Sequence, residues 1–229
     1  MVDKSHKFVS CETCTVRDCS LFSSFNEDDL RQLDNEKTTS FYKKNQPVFL
    51  AETYPRGVFC INQGKVKIFS VGENGKEQII HIAKEGEVIG FRSLFSDEPY
   101  RLSGETLEDC NICFIKKDDF HKHLETKPSL LQSVLKNLSL ELGERAVFIK
   151  DMAQKTVRER LATVLLVLDN IYGEEMINLS REDMANFVGT ATETVIRLLK
   201  EFKDDGLIEI HSRKIELLDK RKLLQEAGN

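Results

Sequence analysis

The chain has 229 residues, 33 Lys and Arg against 38 Asp and Glu for a formal charge of −5, and 40% hydrophobic residues. That length allows two modest domains or one large one, and the balance of apolar and charged residues is that of a soluble globular protein. A negative chain has no broad basic field with which to hold a polyanion, so any nucleic-acid affinity must come from local placement of basic side chains. No apolar run approaches the roughly 20 residues that a membrane helix needs. The opening MVDKSHKFVSCETC lacks the apolar core of a secretory signal, so a cytoplasmic protein with no membrane partner is expected. In that compartment six cysteines are expected as thiols, metal ligands or redox sensors before structural disulfides.

Residues 1–25 carry little apolar pattern and three of the cysteines, Cys11, Cys14 and Cys19. Asn26 begins a short helix with Leu30 and Leu33 inward. From Thr38 to Lys116 the pattern changes to short alternating strands, such as VFCINQGKVKIFSV and KEQIIHIAKEGEVIGF, with turns at Asn62–Gly64, Glu73–Gly75 and Glu85–Gly86. Strands at that spacing predict an all-β sandwich, barrel or roll. A helix follows from Asp118, with His121-Lys-His123 as a solvated face, and Pro128 sits in the first turn of a long helix. On that helix Leu131, Leu135, Leu138, Leu142, Ala146, Ile149 and Met152 recur at near-heptad spacing. The seam can pack on the β domain or on a twin. Val134, Val147 and Phe148 lie off it and supply a second face, which favours a homodimer through Leu131, Leu135, Leu138, Leu142, Ile149 and Met152. Thr156 to Tyr172 forms another amphipathic helix, and a second, helical domain starts near Gln154.

Ser180 to Gly206 reads as two short helices joined by a tight turn. Ser180 caps the first, Asp183 supplies a capping-box carboxylate, and Met184, Phe187 and Val188 face inward. Gly189 stops that helix. Thr190 to Thr192 make the corner, and Thr192 or Thr190 caps the second helix. There Val195, Leu198, Leu199 and Phe202 face inward, and Thr192, Glu193, Thr194, Ile196, Arg197 and Lys200 outward. Such a unit presents its second helix to the DNA major groove. Arg197 can bond bidentately to guanine, and Glu193 can accept from a cytosine amino group. Gly206 to Leu217 alternates as two short strands around Ser212-Arg213, a wing with Arg213 and Lys214 available to phosphates. Between Ser180 and Lys222 nine Lys/Arg face nine Asp/Glu, so two half-sites on a dimer would compensate for weak single-site attraction.

A β-roll of cyclic-nucleotide-binding type, a long dimerisation helix and a C-terminal winged helix-turn-helix, an α+β architecture, together resemble the Crp/Fnr superfamily of bacterial transcription regulators. The resemblance spans nearly the whole chain and is carried by ETVIRLL (Glu193–Leu199), the preceding LSREDMANFVG, the turn at Gly64 and GEVIGF (Gly86–Phe91). It implies an N-terminal segment over 1–25, a roll over 26–127, a dimerisation helix over 128–153 and a DNA-binding domain over 154–229. It also implies a homodimer on an inverted-repeat operator, RNA polymerase as partner, and a G·C pair read by Glu193 and Arg197. Thr192 and Ile196 take the positions that set remaining specificity, and Ser180, Thr190 and Thr194 flank them.

In the cyclic-nucleotide branch an acid holds the ribose and an Arg-Ser pair the cyclic phosphate. Here Phe91 and Leu102 replace the acid and the hydroxyl, so cyclic AMP is not expected. The cysteines resemble the oxygen-sensing Fnr branch, which implies an iron–sulfur cluster on Cys11, Cys14, Cys19 and Cys113. This chain departs in the second gap, four residues instead of five, and offers Cys60 and Cys110 as rival fourth ligands. Cys60 alternates within a strand and reads as packed; Cys110 and Cys113, three apart in a strand, point to opposite faces. Zinc, with His6 completing the set, and metal-free thiols remain open on the residues alone. So does an effector in the roll, for which Phe91, Arg92 and Arg101 are the candidates. A small-molecule-binding module without a DNA role, or an enzyme, is the rival class; no metalloprotease histidine spacing, phosphate loop or nucleophile elbow supports catalysis.

Overall fold

In the computed structural model, whose described residues are 10–228, the first long element is helix α1 (Glu27–Glu36). Asn26 starts it with a reciprocal capping box: its side chain accepts from the Asp29 N–H, and the Asp29 carboxylate accepts from the Asn26 N–H. The strands are β1 (Lys37–Tyr42), β2 (Pro47–Phe49), β3 (Gly57–Gln63), β4 (Val66–Val71), β5 (Glu77–Ala83), β6 (Val88–Ile89), β7 (Ser103–Thr106) and β8 (Cys110–Lys116). They form two four-stranded sheets in the orders β1-β8-β3-β6 and β2-β7-β4-β5. Apart from β4 and β5, sequence neighbours are separated in space, the winding of a jelly roll. The turn at Gly64 needs glycine, because φ is +94° and a Cβ would lie 2.5 Å from Cys110 Sγ.

Strands β3 and β8 bury both faces, and their alternation sorts the side chains. Ile61, Cys110 and Ile112 face the roll interior with Val48, Val66, Ile68, Ala83 and Ile89. Val58, Cys60 and Ile115 pack on the opposite side with Leu21, Phe22, Phe25, Leu30 and Leu33. One helix interrupts the strand region where the sequence pattern reads as continuous β: α2 (Phe91–Ser96). Gly90, at φ +86°, turns the chain out of β6, and Phe91 and Leu94, three apart, anchor the new helix in the core.

Helices α3 (Lys117–Thr126) and α4 (Pro128–Gln154) follow. The expectation of a solvated His121-Lys-His123 face is corrected at His123, which is buried with its Nε2 2.6 Å from Glu36 Oε2. Phe120, His123 and Leu124 share one helical face at spacing i, i+3, i+4, so the histidine is carried inward with them.

The chain divides into two compact units: the chain to Ser70 with His81–Leu140, and Val71–Ile80 with the chain from Glu141. The second holds α5 (Val157–Tyr172), α6 (Arg181–Val188), α7 (Thr192–Asp204), the antiparallel hairpin β9 (Ile208–His211) and β10 (Lys214–Leu217), and α8 (Lys220–Glu226). Thr156 and Glu159 form a capping box on α5. Leu161, Leu165, Leu168, Val195, Leu199 and Phe202 build the core of this unit. Helix α8 has no counterpart in the sequence expectations; Asp219 caps it by accepting from the Lys222 N–H, and Leu223 is buried. Among the described residues no helix is long and apolar enough to cross a membrane.

Candidate nucleic-acid interface and thiol site

The helix-turn-helix is fixed at each joint by an identifiable group. Ser180 Oγ accepts from the Asp183 N–H at 2.9 Å and donates to the Asp183 carboxylate at 2.6 Å. Gly189, at φ +74°, ends α6 with its N–H on the Ala185 carbonyl. Arg160, reaching over from α5, donates Nε to the Val188 carbonyl at 2.9 Å and Nη2 to that of Gly189 at 3.3 Å, satisfying groups the helix end leaves open. The expected threonine cap of α7 is corrected: the N-cap is Ala191, with no side-chain cap. Thr192 is already the first helical residue, and Thr190 falls one residue too early, its N–H bonding to Ala185.

Helix α7 buries Val195, Leu198, Leu199 and Phe202. Glu193, Ile196, Arg197 and Lys200 are exposed, and Thr192 and Thr194 partly so. Arg197 Nη1 lies 2.6 Å from Glu201 Oε1, one turn on. The other Glu201 oxygen accepts from Arg158 Nη1 at 3.1 Å. Arg158 also reaches Asp205 at 2.9 Å and Glu226 at 2.7 Å and lies over the Phe202 ring at 4.6 Å. Its pKa is pushed up, first by the Glu226 hydrogen bond and against the cost of burial. This guanidinium joins the start of α5 to the ends of α7 and α8. In the wing, His211 opposes Lys214, Ser212 turns with φ +60°, and Arg213 and Lys214 are exposed at the tip.

A second constellation lies in the other unit. Asp34 of α1 accepts from Ser10 Oγ at 2.6 Å, from the Cys11 N–H at 2.8 Å and from Lys37 Nζ at 2.7 Å, tethering the N-terminal segment. The Cys14 N–H reaches the Cys11 carbonyl, so the C-x2-C stretch is a turn. A cavity of about 30 Å³ is lined by Cys11, Cys14, Cys60 and Cys113 together with Lys37, Asn62, Phe22, Leu30, Leu33 and Ile115. At roughly 10–15 Å³ for each water held, it has room for two or three waters. Cys60 and Cys113 are direct partners across β3 and β8. Cys11 Sγ accepts from Lys37 Nζ at 3.2 Å and Cys14 Sγ from Asn62 Nδ2 at 3.4 Å, and Cys113 Sγ lies 3.5 Å from Thr39 Oγ1.

Burial pushes the Cys11 thiol up to about 12, outweighing the nearby Lys37 ammonium, and also raises Cys60 and Cys113. Lys37 itself has a side chain only 2% exposed. Burial works against its charge, but the Asp34 hydrogen bond and the surrounding thiols raise its pKa above the ordinary lysine value. Among the described residues no group of three His, Cys, Asp or Glu is arranged to hold a metal ion. The donor set nevertheless fits iron or zinc in kind and number, since four thiols surround one cavity and metal binding replaces their protons.

Residues 39–127 match the cyclic nucleotide-binding domain family, and residues 159–226 match the Crp-like helix-turn-helix domain. The chain belongs to the Crp/Fnr superfamily of transcription regulators. It is similar to electron transport regulator A of Shewanella oneidensis, 28% identical over 230 residues, covering 96% of this chain and 91% of that one. The fumarate and nitrate reduction regulatory protein of Escherichia coli is 26% identical over 232 residues, with 96% and 91% covered. Among solved structures, FixK2 from Bradyrhizobium japonicum superposes with a TM-score of 0.76 at 23% identity, over 82% of this chain and 96% of that one, which shows a shared fold. This Crp/Fnr protein is therefore a DNA-binding transcription regulator and not an enzyme.

The expected site residues of this Crp/Fnr protein fare unequally. The helix-turn-helix and wing side chains share one unit, as described. The effector candidates are not brought together: Phe91 is buried in the core with Leu94, whereas Arg92 and Arg101 are exposed and Arg101 pairs with Glu98 at 2.8 Å. Phe91 is spent on anchoring α2. On α4, Leu130 and Val134 are buried, while Leu131, Leu135, Leu142 and Ile149 are 41%, 55%, 73% and 67% exposed. Leu138 and Met152 are partly buried.

Of the expected metal ligands, Cys11, Cys14 and Cys113 share the cavity, but Cys19 is exposed at the end of a short 3-10 turn (Arg17–Cys19) and does not line it. Cys110 faces the roll interior, Sγ 3.2 Å from the Glu108 carbonyl, with its thiol pushed up to about 11 by burial. His6 lies outside the described residues. Cys60 packs against the core, as its alternation with Phe59 and Ile61 reads, and on that same face it also lines the cavity, which the sequence alone did not show. Arg158, Arg160 and Lys37 were missed too, since nothing local marks a cation whose partners lie far along the chain.

Proposed function

We propose that this regulator acts in the cytoplasm as a homodimer on an inverted-repeat operator, contacts RNA polymerase, and answers an oxygen or redox signal through its N-terminal thiols. The proposed division is a cysteine segment over 1–25, a sensor roll over 26–127, a dimerisation helix over 128–153 and a DNA-binding domain over 154–229. Leu131, Leu135, Leu138, Leu142, Ile149 and Met152 would form the dimer seam, an assignment supported by the exposure of four of them. Arg197 and Glu193 would read a G·C pair, Ile196 a thymine methyl, and Thr192 and Thr194 adjacent edges. Ser180, Thr190, Arg213 and Lys214 would contact phosphates.

The observation that carries the sensing half is the meeting of Cys11, Cys14 and Cys113 at one cavity. These three thiols and a fourth would hold an iron–sulfur centre that supplies oxygen-labile redox chemistry; Cys19 is the fourth that the family resemblance implies, and Cys60 is the one that shares the cavity. Lys37 would offset the charge of the thiolates, and Asp34 would hold Lys37 and the Cys11 backbone in place. A change at this site would alter how the α4 helices pair and so the spacing of the two α7 helices, two sites linked through one two-state element. A second reading, a single zinc ion, is favoured by the cavity of about 30 Å³, which is small for a four-iron cluster. Cyclic AMP is not part of the proposal: Phe91 is buried, and Leu102 packs against the roll interior.

Anaerobic purification followed by an absorption spectrum and iron, sulfide and zinc analysis tests the reading. About four irons per chain with a visible band that bleaches in air would support the cluster. One zinc without iron would support the second reading, and no metal in any preparation would refute both.

A further inference from the structure

We propose that Cys60 is a ligand of this thiol site and Cys19 is not, so that the metal-binding set is Cys11, Cys14, Cys60 and Cys113. The inference rests on the reading that the N-terminal thiols bind iron–sulfur or zinc. Residues directly opposed on antiparallel strands hold their Cβ atoms about 4.5–5.5 Å apart on one face. Cys60 and Cys113 are such a pair, and both line the cavity. Two sulfurs so placed can bind one metal at about 2.3 Å each with only side-chain rotation. Across the cavity the Cys11–Cys14 turn supplies a second pair. Two dithiol pairs lining one cavity supply the four donors that a tetrahedral four-sulfur site requires; no three of them stand ready around one point among the described residues, so binding would draw the two pairs together.

The polar groups around the cavity agree. Lys37 Nζ donates to Cys11, Asn62 Nδ2 donates to Cys14, and Thr39 Oγ1 is within reach of Cys113. Donors on sulfur and a buried cation are what stabilise a thiolate-bound metal. Cys19 has no place in this arrangement. It is exposed, and its Cβ sits 3.1 Å from where a Cβ would stand on Gly86. Its N–H is bonded to the Val16 carbonyl, and the Ser20 N–H to that of Arg17, so reaching the cavity would require unwinding the turn.

The test uses the full-length protein loaded anaerobically with iron and sulfide, or separately with zinc. Accessible thiols are alkylated, the protein is denatured, protected thiols receive a second label, and each cysteine is read by mass spectrometry. Metal should protect Cys11, Cys14, Cys60 and Cys113 and leave the labelling rate of Cys19 unchanged. In parallel, Cys19→Ser should keep full metal stoichiometry, and Cys60→Ser and Cys60→Ala should weaken metal binding at least tenfold while keeping the wild-type circular dichroism spectrum. Protection of Cys19 but not Cys60, or metal loss in Cys19→Ser with retention in Cys60→Ser, would overturn the inference and leave the cofactor reading standing. Failure of the wild type to take up either metal would overturn both.

Discussion

Arg197 is the side chain on which the DNA-reading argument is most exposed to test. In the unbound protein its guanidinium is 65% exposed and held 2.6 Å from a Glu201 that is itself 39% exposed. A solvated pair one helical turn apart stabilises by only about 0.3–0.5 kcal/mol. Arg197→Ala should therefore leave thermal stability almost unchanged. A bidentate guanine contact is larger, about 1–3 kcal/mol, so the same substitution should weaken binding to the cognate duplex by about 5- to 150-fold per subunit. Glu201 does not collapse when freed, because its second oxygen remains on Arg158. The assay is fluorescence anisotropy on the operator and on duplexes with each half-site G·C pair replaced, beside a thermal melt. The wild type should discriminate at that pair and the variant should not. A uniform loss on all duplexes would make Arg197 a phosphate contact, and a large drop in melting temperature would make it a structural residue; either refutes the assignment.

Ser180→Ala should cost about 1 kcal/mol by removing the cap on α6, whereas Thr192→Ala should cost no cap energy because Ala191 occupies that position; urea unfolding of both variants separates them. Leu142→Glu with Ile149→Glu should convert dimer to monomer in sedimentation velocity without unfolding the chain, since both side chains are exposed in a single copy. Tyr100 is buried and its phenol pushed up to about 12 by that burial, from an ordinary value of 10.0. The neutral phenol favours the folded state, so its contribution is complete below pH 10 and is lost as pH rises towards 12. Phenolate titration by ultraviolet absorption should show Tyr42 and Tyr100 both titrating late, since burial raises both, and Tyr100→Phe should remove one of the two late phenols.

The architecture was legible because its signals are local. Asn26 and Ser180 carry their own caps, Gly64 and Gly189 occupy positive φ, and the alternation of β3 and β8 gives away their two faces. The opposite orientation of Cys110 and Cys113 follows from that period alone, and the structure places them accordingly. What failed depends on contacts distant in sequence. His123 is buried because Glu36, 87 residues away, can receive it. The helix at Phe91 forms against a core to which Leu21, Phe22 and Phe25 contribute, and no local pattern shows that core. Cys60 packs as its alternation reads, but that it also lines the cavity depends on the distant segment that covers it.

The charge balance of the DNA-binding domain bears on what the proposed homodimer would add. Several of its basic groups are already occupied: Arg158 by three carboxylates, Arg160 by backbone carbonyls, Lys203 by Glu209 at 2.7 Å and Lys220 by Asp169 at 2.7 Å. Those cations hold the unit together and add little to the counterion release that drives non-specific binding. The other exposed cations, Arg213 and Lys214 at the wing, Lys200 and the Glu201-paired Arg197 on α7, and Arg221 and Lys222 on α8, would be a small set for one half-site. Joining two such half-sites makes the second contact intramolecular and raises the overall affinity without adding a charge. In the proposed homodimer a weakly basic reader would be an advantage for control, because whatever holds the two α4 helices in register would decide whether both half-sites are reached at once. A strongly basic domain would bind DNA through either half alone, and a signal at the thiols could not switch it off.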